Sequence, residues 1–509
     1  MPSKIFSATT FGLDSQLIEV EADLIGEAAK FIIVGLPDTA VQEARERVRS
    51  AIKNCDIAFP RRKIIVNLAP ADLKKVGPAF DLPIAVSVLI TKRYLELFAD
   101  DQKAVFVGEL ALDGTLRPVT GVLSMATLLK KLEIKRLYLP QQNADEANLI
   151  SGLEIYPVKN LAELVKHLKG KSIIKKLPPS DFKKISGSRP VLLFAKIKGQ
   201  QQAKRALEIA TAGNHNLLMV GPPGSGKTLL AKAMPELLPP LTIDEALEVT
   251  KIYSVSGLLS HNEPLITNRP FRSPHHTASG IAMVGGGSFP KPGEITLAHR
   301  GVLFLDELPE FPRIVLENLR QPLEDGVITV SRASQTLQFP ACFTLVAAAN
   351  PCPCGFLTDA EKDCKCSPGQ ILRYQKRVSG PLLDRFDLQI EVPRVKFIDL
   401  QSEAAAAEIE NILQRIDKAR KIQLARFKDS QQKIFTNSEI SSQNIEEYCR
   451  LDNQSKQLLK EAMFKFHLSA RGYHRVIKVA RTVADLTESK EIKIEHLAEA
   501  LQFRIMQEN

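Results

Sequence analysis

The sequence uses little cysteine, contains no tryptophan and has no long apolar run. Seven of its 509 residues are cysteine, and four of these lie within the fifteen residues from Cys352 to Cys366. No apolar run approaches the ~18–20 residues that a membrane-spanning helix needs, so no membrane partner is expected. The first twenty residues lack a secretory apolar region and cleavage site. We therefore expect a cytoplasmic protein whose cysteines stay reduced.

The length and the charge distribution indicate several domains and one basic segment. A chain of 509 residues, 44% hydrophobic and 25% charged, is typical of a globular protein with about two to four domains. Ten Lys or Arg and one acid lie between Lys166 and Lys198, which places +9 of the +10 net charge in 33 residues. Pro, Ser and Gly in residues 169–190 predict an interdomain linker there. The linker is either a solvated tether or a contact for a phosphate backbone.

The pattern along the chain predicts an α/β fold class. Residues 1–168 alternate β-rich runs such as "KIIVNLAP" with helical patterns, which predicts an α/β domain. Residues 191–395 contain the apolar strands "HNLLMVG", "GVLFLDE" and "FTLVAAAN", and such runs suit a parallel sheet that is buried on both faces. Residues 396–509 are helical by their periodicity, and we expect a C-terminal helical domain.

A glycine-rich motif predicts a nucleotide site. "GPPGSGKT" follows the apolar run "NLLMV" and precedes the helical run "TLLAKAMPELL". Glycines let backbone N–H groups surround phosphates at a helix N-terminus, where anions are favoured. Lys227 would bind the β- and γ-phosphates, and the Thr228 hydroxyl would bind Mg²⁺. The residues predicted to bind ATP are Gly221, Pro222, Pro223, Gly224, Ser225, Gly226, Lys227, Thr228 and Leu229.

Polar residues end the next two apolar strands. Asp306 follows "GVLFL" and is predicted to hold Mg²⁺ through water, and the adjacent Glu307 suits a base that polarises the attacking water. Asn350 ends "FTLVAAAN" and could orient water near the γ-phosphate. Arg385, in "LLDRFDL", and Arg471, in "SARGYHR", are either surface ion pairs or parts of the catalytic site.

The cysteine cluster occupies residues 350–369, which we call the cysteine knuckle. Cys352, Cys354, Cys364 and Cys366 form two Cys-x-Cys pairs, and thiolates are soft ligands suited to tetrahedral Zn²⁺. Four protein ligands leave no open position, so a zinc ion here would be structural and would fold a segment without its own core. Reduced or redox-paired thiols and an iron–sulfur cluster are the alternatives.

These motifs together resemble the AAA+ ATPases of the magnesium-chelatase and MCM-helicase branch. "RPFRSPHHTASGIAMVGGGSFPKPGEITLAHRGVLFLDELPEF", "NPCPCG" and "LSARGYHRVIKVARTVADL" resemble, more narrowly, the magnesium-chelatase-like ComM/YifB family, over nearly the whole chain. The resemblance implies a hexameric, ATP-driven helicase that promotes branch migration of recombination intermediates during natural transformation. It implies single-stranded and branched DNA as partners, with recombinase-pathway proteins as further candidates.

The resemblance also assigns roles to single residues. Asn350 resembles sensor 1, Arg385 resembles an arginine finger that acts on the neighbouring subunit, and Arg471 resembles sensor 2. Gly199 and Gln200 lie in a segment that resembles the one enclosing adenine. The helical domain at 396–509 would be the lid of the AAA+ module.

The N-terminal domain resembles the Lon-protease and RadA C-terminal fold. Ala79 stands where Lon-like enzymes have the serine nucleophile, and Leu123, followed by Ser124, stands where they have the catalytic lysine. A Ser–Lys dyad needs a hydroxyl and an amine, so no peptidase activity is expected. The basic residues that could instead contact DNA, or be ordinary solvated charges, are Arg61, Arg62, Lys63, Lys74 and Lys75.

In the helicases that the chain resembles, two insertions reach the central pore, and the corresponding segments of this chain are candidates for DNA contact. The first covers roughly residues 253–293, and its candidates for phosphate or subunit contacts, or for packing, are Arg272, His275, His276 and Lys291. Adjacent histidines do not easily share one metal ion, so no zinc is expected between them. The second, "GVITVSRASQTLQFP", reads as a hairpin with Ser331 and Arg332 near its tip. Its tip either grips a DNA backbone in a ring pore or belongs to an ordinary surface hairpin.

Other function classes remain open at this stage. A magnesium-chelatase-like motor would use the same ATP machinery on a protein partner, and DNA stimulation of ATP hydrolysis separates it from a helicase. A Lon-like protease is opposed by Ala79. A scaffold that only binds ATP is disfavoured by Glu307 and Arg385 together.

Overall fold

The structure, a computed structural model, describes most of the chain in two compact units. The described residues are 2–26, 29–179, 192–260, 262–287, 290–332, 335–359, 361–395, 406–428, 430, 434–465 and 468–504. Unit 1 comprises Met1–Ser186 and Ile243–Ile266, and unit 2 comprises Gly187–Thr242 and Thr267–Asn509. Among the described helices, none combines the length and apolar character of a membrane span.

The strands and helices are numbered separately in chain order. The strands are β1 (Ser3–Phe11), β2 (Asp14–Ile25), β3 (Phe31–Val34), β4 (Lys63–Ala69), β5 (Val105–Phe106), β6 (Glu109–Leu110), β7 (Leu116–Arg117), β8 (Arg136–Pro140), β9 (Glu154–Val158), β10 (Leu217–Val220), β11 (Phe271–Arg272), β12 (Gly285–Gly286), β13 (Lys291–Pro292), β14 (Val302–Leu305), β15 (Val327–Arg332), β16 (Gln335–Pro340), β17 (Thr344–Ala349) and β18 (Leu388–Glu391). The helices are α1 (Thr39–Asn54), α2 (Asp81–Thr91), α3 (Val122–Lys131), α4 (Ala144–Ala147), α5 (Leu161–Leu168), α6 (Gln201–Gly213), α7 (Lys227–Leu237), α8 (Ile243–Ser256), α9 (Gly280–Val284), α10 (Glu294–Leu297), α11 (Arg313–Glu317), α12 (Arg320–Asp325), α13 (Pro368–Gln375), α14 (Gly380–Leu383), α15 (Ala406–Phe427), α16 (Ile445–Tyr448), α17 (Asn453–Lys465), α18 (Ala470–Leu486) and α19 (Ile494–Gln502).

Unit 1 is built on a mixed sheet of order β3-β4-β2-β1-β5-β8-β9. β1, β2 and β4 pair antiparallel, while β3 and the β5, β8, β9 edge add parallel strands. Helix α1 begins after Asp38, whose carboxylate accepts a hydrogen bond from the Val41 N–H (2.8 Å), a common N-cap arrangement. α2 is buried along most of its length because its residues are nearly all apolar.

Unit 1 also contains a segment from the middle of the chain, residues Ile243–Ile266. The Ser254 carbonyl on α8 accepts a hydrogen bond from the Gly121 N–H (3.2 Å), and the Ser254 hydroxyl donates to the buried carboxylate of Glu146. Lys251 forms an ion pair with Asp14 (3.0 Å). This packing differs from the division expected from the sequence, which assigned the segment to the ATPase core. The apolar face of α8 is buried in unit 1. The assignment of this segment to unit 1 depends on contacts between residues far apart in the sequence, which the local sequence pattern does not show.

Unit 2 is built on a parallel sheet of order β11-β14-β17-β10-β18. β17 is buried at every position, as expected for a central strand covered on both faces. The C-terminal helices α15 and α18 share one apolar core with α6, α7 and this sheet. The predicted α/β class with a helical C-terminal region is confirmed.

Part of the predicted basic linker packs on unit 1. Lys169 lies over the ring of Tyr94, with its amine 3.2 Å from the ring centroid, and Lys176 forms an ion pair with Glu154 (2.8 Å). Residues 180–190 of the predicted linker lie outside the described residues. Lys169 and Lys176 are therefore held by unit 1, and the interpretation of the linker as a solvated tether stays a prediction for the rest of the segment.

Candidate functional site

The phosphate-binding loop joins β10 to α7. Gly224 and Gly226 have φ values of +78° and +90°, a region that glycine enters without strain. A Cβ on Gly221 would lie 2.2 Å from the Val392 carbonyl oxygen, so only glycine permits this close approach to the residue after β18. Pro222 and Ser225 are buried, while Pro223 and Gly224 are exposed. The loop thus directs the N-terminus of α7 outward as an anion site.

Lys227 and Thr228 begin α7 and are held by neighbouring strands. The Lys227 amine donates to the carbonyl oxygens of Gly221 (2.7 Å) and Pro222 (2.8 Å). Burial lowers the pKa of Lys227 from its ordinary value, while Asp306 and Glu307 act in the opposite direction. The Thr228 hydroxyl donates to an Asp306 carboxylate oxygen (2.9 Å). A hydroxyl and a carboxylate at this distance are suited to hold Mg²⁺.

Asp306, Glu307 and Asn350 end adjacent strands of the same sheet. β14 and β17 are neighbours, so the residues after their carboxyl ends lie close to the loop after β10. The Asn350 amide oxygen is 3.5 Å from the Lys227 amine. Glu307 has a φ of +53°, and its side chain is exposed. The structure therefore brings together the predicted phosphate, metal and base residues.

His276 is the residue at this site that sequence reasoning assigned elsewhere. Its Nδ1 lies 3.6 Å from a carboxylate oxygen of Glu307, and its ring packs against that of His275, with centroids 4.1 Å apart and planes inclined by 33°. The sequence suggested either a phosphate, DNA or subunit contact or a packing role for both histidines. The position of His276 after β11, the strand beside β14, is the signal that could have placed it beside Glu307.

The segment predicted to enclose adenine contacts the phosphate-binding loop. The Gln200 side-chain amide donates to the carbonyl oxygens of Ser225 (2.6 Å) and Pro393 (3.2 Å). Gly199 and Gln200 both have positive φ, at +59° and +52°, so the chain turns sharply before α6 begins. This turn keeps the segment next to the loop, as the predicted role requires.

Arg385 and Arg471 lie close together at the other end of the strands, opposite the end that carries the phosphate-binding loop. Arg385 precedes β18, and the Asn216 side chain, just before β10, donates to its carbonyl oxygen (3.1 Å). Arg385 is 5% exposed and donates to Glu324 (2.5 Å), whereas the Arg471 side chain is 60% exposed and lies 3.2 Å from the same carboxylate. β10 has four residues and spans about 13 Å. Both guanidinium groups therefore lie at the amino end of the strands, away from the phosphate-binding loop of their own chain.

The cysteine knuckle brings four sulfur atoms into one cluster. The Sγ of Cys352 lies 3.4 Å from that of Cys354 and 3.6 Å from that of Cys364, and all four Sγ atoms lie within 4.8 Å of one another. A tetrahedral ion with Zn–S bonds of ~2.3 Å separates its sulfur ligands by about 3.8 Å. The donor set fits Zn²⁺.

The structure changes the interpretation of one predicted DNA contact. Arg272 donates from Nε and Nη2, one edge of its guanidinium, to the two carboxylate oxygens of Glu294, both at 2.7 Å, so Arg272 ties β11 to α10. Lys291 is exposed on the short β12–β13 ribbon. Ser331 is exposed near the end of the β15–β16 hairpin, and Arg332 pairs in register with Gln335. The side chain of Arg332 lies outside the described residues.

The two positions that hold the catalytic dyad in Lon-like enzymes are buried in unit 1. Ala79 and Leu123 are 9% and 1% exposed, and the nearby Ser124 hydroxyl donates to the Leu13 carbonyl (2.8 Å). Lys75, which the sequence offered as a DNA contact, is fully buried, and its amine donates to the Pro70 carbonyl. Burial lowers the pKa of Lys75. A DNA contact for Lys75 is therefore wrong, whereas Arg61, Arg62 and Lys74 are exposed and Lys63 is half-buried.

Comparison with known proteins places the chain in a family. Residues 193–400 match the family model "Magnesium chelatase, subunit ChlI", residues 20–143 match "Subunit ChlI of Mg-chelatase", and residues 407–504 match "Magnesium chelatase, subunit ChlI C-terminal". A magnesium-chelatase subunit ChlI from Cyanophora paradoxa is 25% identical over 235 residues, covering 42% of this chain and 61% of that protein. The magnesium-chelatase-like AAA+ machinery implies ATPase activity.

Two relatives match along almost the entire chain. The competence protein ComM of Haemophilus influenzae is 45% identical over 510 residues, covering 99% of this chain and 97% of the relative. The uncharacterized protein YifB of Escherichia coli K12 is 42% identical over 504 residues, with the same two coverages of 99% and 97%. The chain belongs to the ComM/YifB family of magnesium-chelatase-like AAA+ ATPases.

Proposed function

We propose that this chain is an ATP-driven motor that assembles as a hexamer and promotes branch migration of DNA recombination intermediates. Lys227 and Thr228 bind ATP and Mg²⁺, Asp306 holds the metal through water, and Glu307 polarises the attacking water. Support comes from the convergence of these groups at the carboxyl end of one sheet. The competence protein ComM, 45% identical to this chain, supports a role in the integration of transforming single-stranded DNA.

One observation carries the proposal: Arg385 and Arg471 converge on Glu324 at the amino end of the sheet. The phosphates would bind at the carboxyl end, so these arginines complete the site of a neighbouring copy. A guanidinium that stabilises charge on the transferring phosphoryl group is worth ~10³–10⁵ in rate in other NTPases. ATP hydrolysis then depends on assembly, as a ring motor requires.

The DNA contacts proposed for the motor lie on two projecting segments. The β15–β16 hairpin carries Ser331 and Arg332 near its end, and the β12–β13 ribbon exposes Lys291. Cations on such hairpins bind phosphates without reading base sequence. Contacts of this kind suit a motor that moves a junction through any sequence.

A structural Zn²⁺ in the cysteine knuckle is part of the proposal. Cys352, Cys354, Cys364 and Cys366 would supply its four thiolates, and such an ion folds a segment that buries few apolar side chains. One zinc per chain is expected by elemental analysis of the purified protein. Replacing both Cys352 and Cys364 by Ser should release it, and an unchanged zinc content would exclude these ligands.

The decisive experiment is strand displacement on a three-stranded DNA joint. The protein should move the joint with ATP and fail with a non-hydrolysable analogue. Lys227→Ala is the control, because it removes the phosphate-binding amine. If that variant displaces strands at the parental rate, ATP turnover is not part of the mechanism.

A second candidate is a motor that remodels a protein partner, as in magnesium chelation. It is favoured by the three ChlI family models that together match most of the chain. Branched DNA should raise the ATPase rate of a branch-migration motor and leave that of a chelatase-like motor unchanged. This assay therefore separates the two candidates before any partner is known.

A further inference from the structure

The cysteine knuckle lies directly against the phosphate-binding loop. Gly355 has a φ of +83°, and a Cβ at this position would lie 2.6 Å from Cδ of Pro223. Gly355 ends the tight turn that begins at Cys352, and its N–H donates to the Cys352 carbonyl (3.0 Å). The turn that carries Cys352 and Cys354 is therefore in close contact, through Gly355, with the phosphate-binding loop.

A second contact joins the knuckle to the other side of the nucleotide site. Asp359, whose side chain is fully buried, forms an ion pair with Arg394 at 2.6 Å, and Arg394 also lies over the ring of Phe356. Arg394 follows Pro393, whose carbonyl accepts a hydrogen bond from Gln200 (3.2 Å). Gln200 in turn binds the Ser225 carbonyl of the loop. The knuckle is thus fixed to both the phosphate and the predicted adenine ends of the site.

A third connection is covalent. Asn350, whose amide oxygen lies 3.5 Å from the Lys227 amine, is separated from the first ligand, Cys352, by one residue. That residue, Pro351, is buried, and its carbonyl accepts a hydrogen bond from Gln375 on α13 (3.3 Å). A movement of Cys352 is therefore transmitted over two residues to the side chain that contacts Lys227.

The knuckle has little apolar burial to hold this shape by itself. Of its described residues, 350–359 and 361–369, those that are buried are Pro351, Cys352 and Gly355. A segment with so small a core depends on other bonds for its conformation, and an ion bound by four thiolates supplies them. The same ion would then fix Gly355 against Pro223.

We propose that metal binding at the four cysteines and ATP binding at the phosphate-binding loop are positively coupled, with Gly355 and Asp359 as the connecting contacts. This inference rests on the zinc site of the proposed function. Coupling of binding free energies is reciprocal, so the metal raises the affinity for ATP by the same factor by which ATP raises the affinity for the metal. Zinc would therefore regulate the loading of the motor with nucleotide.

The first test measures the Kd of a fluorescent ATP analogue, together with zinc content. Gly355→Ala keeps all four cysteines but places a Cβ against Pro223, and it should weaken nucleotide binding roughly tenfold while one zinc per chain remains. Gly369→Ala is the matched control, because its nearest neighbour would be the Arg373 guanidinium at 4.0 Å. Removal of zinc from the parental protein with a chelator should weaken binding by a similar factor.

The second test measures the reverse effect. A chromophoric chelator should withdraw zinc from the parental protein more slowly, and at a higher concentration, when Mg²⁺ and a non-hydrolysable ATP analogue are present. In Lys227→Ala the nucleotide should give no such protection. Added Mg²⁺ alone serves as the ionic control.

The outcomes separate the coupling from the zinc site itself. If the purified protein holds no zinc and takes up none, both the zinc proposal and the coupling are wrong. If one zinc is bound per chain, but zinc-loaded and zinc-free protein bind nucleotide equally well, only the coupling is wrong. Equal nucleotide affinities of Gly355→Ala and Gly369→Ala would also overturn it, because the contact with Pro223 would then transmit nothing.

Discussion

His276 places its Nδ1 3.6 Å from a carboxylate oxygen of Glu307, the residue that follows Asp306 at the end of β14. The ring of His276 packs against that of His275, with centroids 4.1 Å apart, and is nearly perpendicular to the ring of Phe311, with centroids 6.5 Å apart. Glu307 itself is exposed and attached to a left-handed turn, so its backbone alone does not fix the direction of the carboxylate. We therefore expect His276 to position the proposed base.

Replacement of His276 by Ala should lower the kcat of ATP hydrolysis roughly tenfold, because the carboxylate loses the group that fixes its orientation. The KM for ATP should change little, since His276 contacts no residue of the phosphate-binding loop among those described. His276→Gln, which keeps a polar atom near Glu307, should restore part of the rate. His275→Ala is the control, and an equal loss of kcat in both variants would indicate a packing role instead.

Two inactive variants should restore ATP hydrolysis when they are mixed. Lys227→Ala cannot bind the phosphates, and Arg385→Ala lacks the guanidinium proposed to act on its neighbour. In mixed assemblies the intact phosphate-binding loop of an Arg385→Ala subunit can lie next to the intact Arg385 of a Lys227→Ala subunit. ATPase activity after mixing should therefore clearly exceed the sum of the separate activities. No recovery in assemblies shown to contain both variants would mean that Arg385 acts within its own chain.

Asp387 should be a major determinant of acid stability. It is buried in unit 2, forms an ion pair with Arg475 and accepts a hydrogen bond from the Asn216 N–H (3.0 Å). Burial alone would raise the pKa of Asp387, but Arg475 and His215 overcome this and hold it well below its ordinary value. A depressed folded-state pKa stabilises the protein above the unfolded pKa of about 3.9, and this contribution is lost as the pH falls below that value.

Asp387→Asn should lower the free energy of unfolding at neutral pH by about 3 kcal/mol, because Arg475 is left without its buried partner. The stability difference between this variant and the parental protein should shrink as the pH falls below about 4. Urea denaturation at several pH values measures both effects. A difference that stays constant with pH would show that the carboxylate charge is not responsible.

The end of the β15–β16 hairpin should determine affinity for DNA without affecting the ATP site. Arg332→Ala should weaken binding of single-stranded DNA and reduce the slope of log K against log salt by about 0.7, the value for one phosphate contact on a single strand. ATPase activity without DNA should remain at the parental level. Glu310→Gln offers a surface control with the same readouts, and an unchanged salt slope in Arg332→Ala would remove this residue from the DNA contact.

Motifs that combine a strand with a following loop were predictable from the sequence. "GPPGSGKT", Asp306 and Asn350 each follow a continuous apolar run, and parallel strands necessarily bring their carboxyl ends to one edge. Their meeting at Lys227 and Thr228 follows from that geometry. The clustering of the four cysteines was predictable for a similar reason, because two closely spaced pairs at the ends of a short loop can reach a common point.

Contacts between segments remote in the sequence were not predictable. The two histidines looked like ligands for phosphate because nothing local distinguishes His276 from His275, and only the order β11-β14 places one of them at Glu307. Lys75 was expected to be exposed because lysine side chains usually are, but the side chain of Lys75 is buried in unit 1. The contact of Gly355 with Pro223 has no signature other than a glycine, which many turns require.

The inserted segment Ile243–Ile266 has a practical consequence for dissecting the protein. The chain leaves unit 2 after Thr242, contributes α8 to unit 1 and re-enters unit 2 at Thr267. A fragment beginning at residue 187 would retain α8 without its binding surface and would expose Ala246, Val249 and Ile252 to water. Such a fragment should aggregate unless α8 is deleted from it. Unit 1 is therefore not an independent N-terminal domain, because residues 243–266 of its fold lie within the sequence of unit 2.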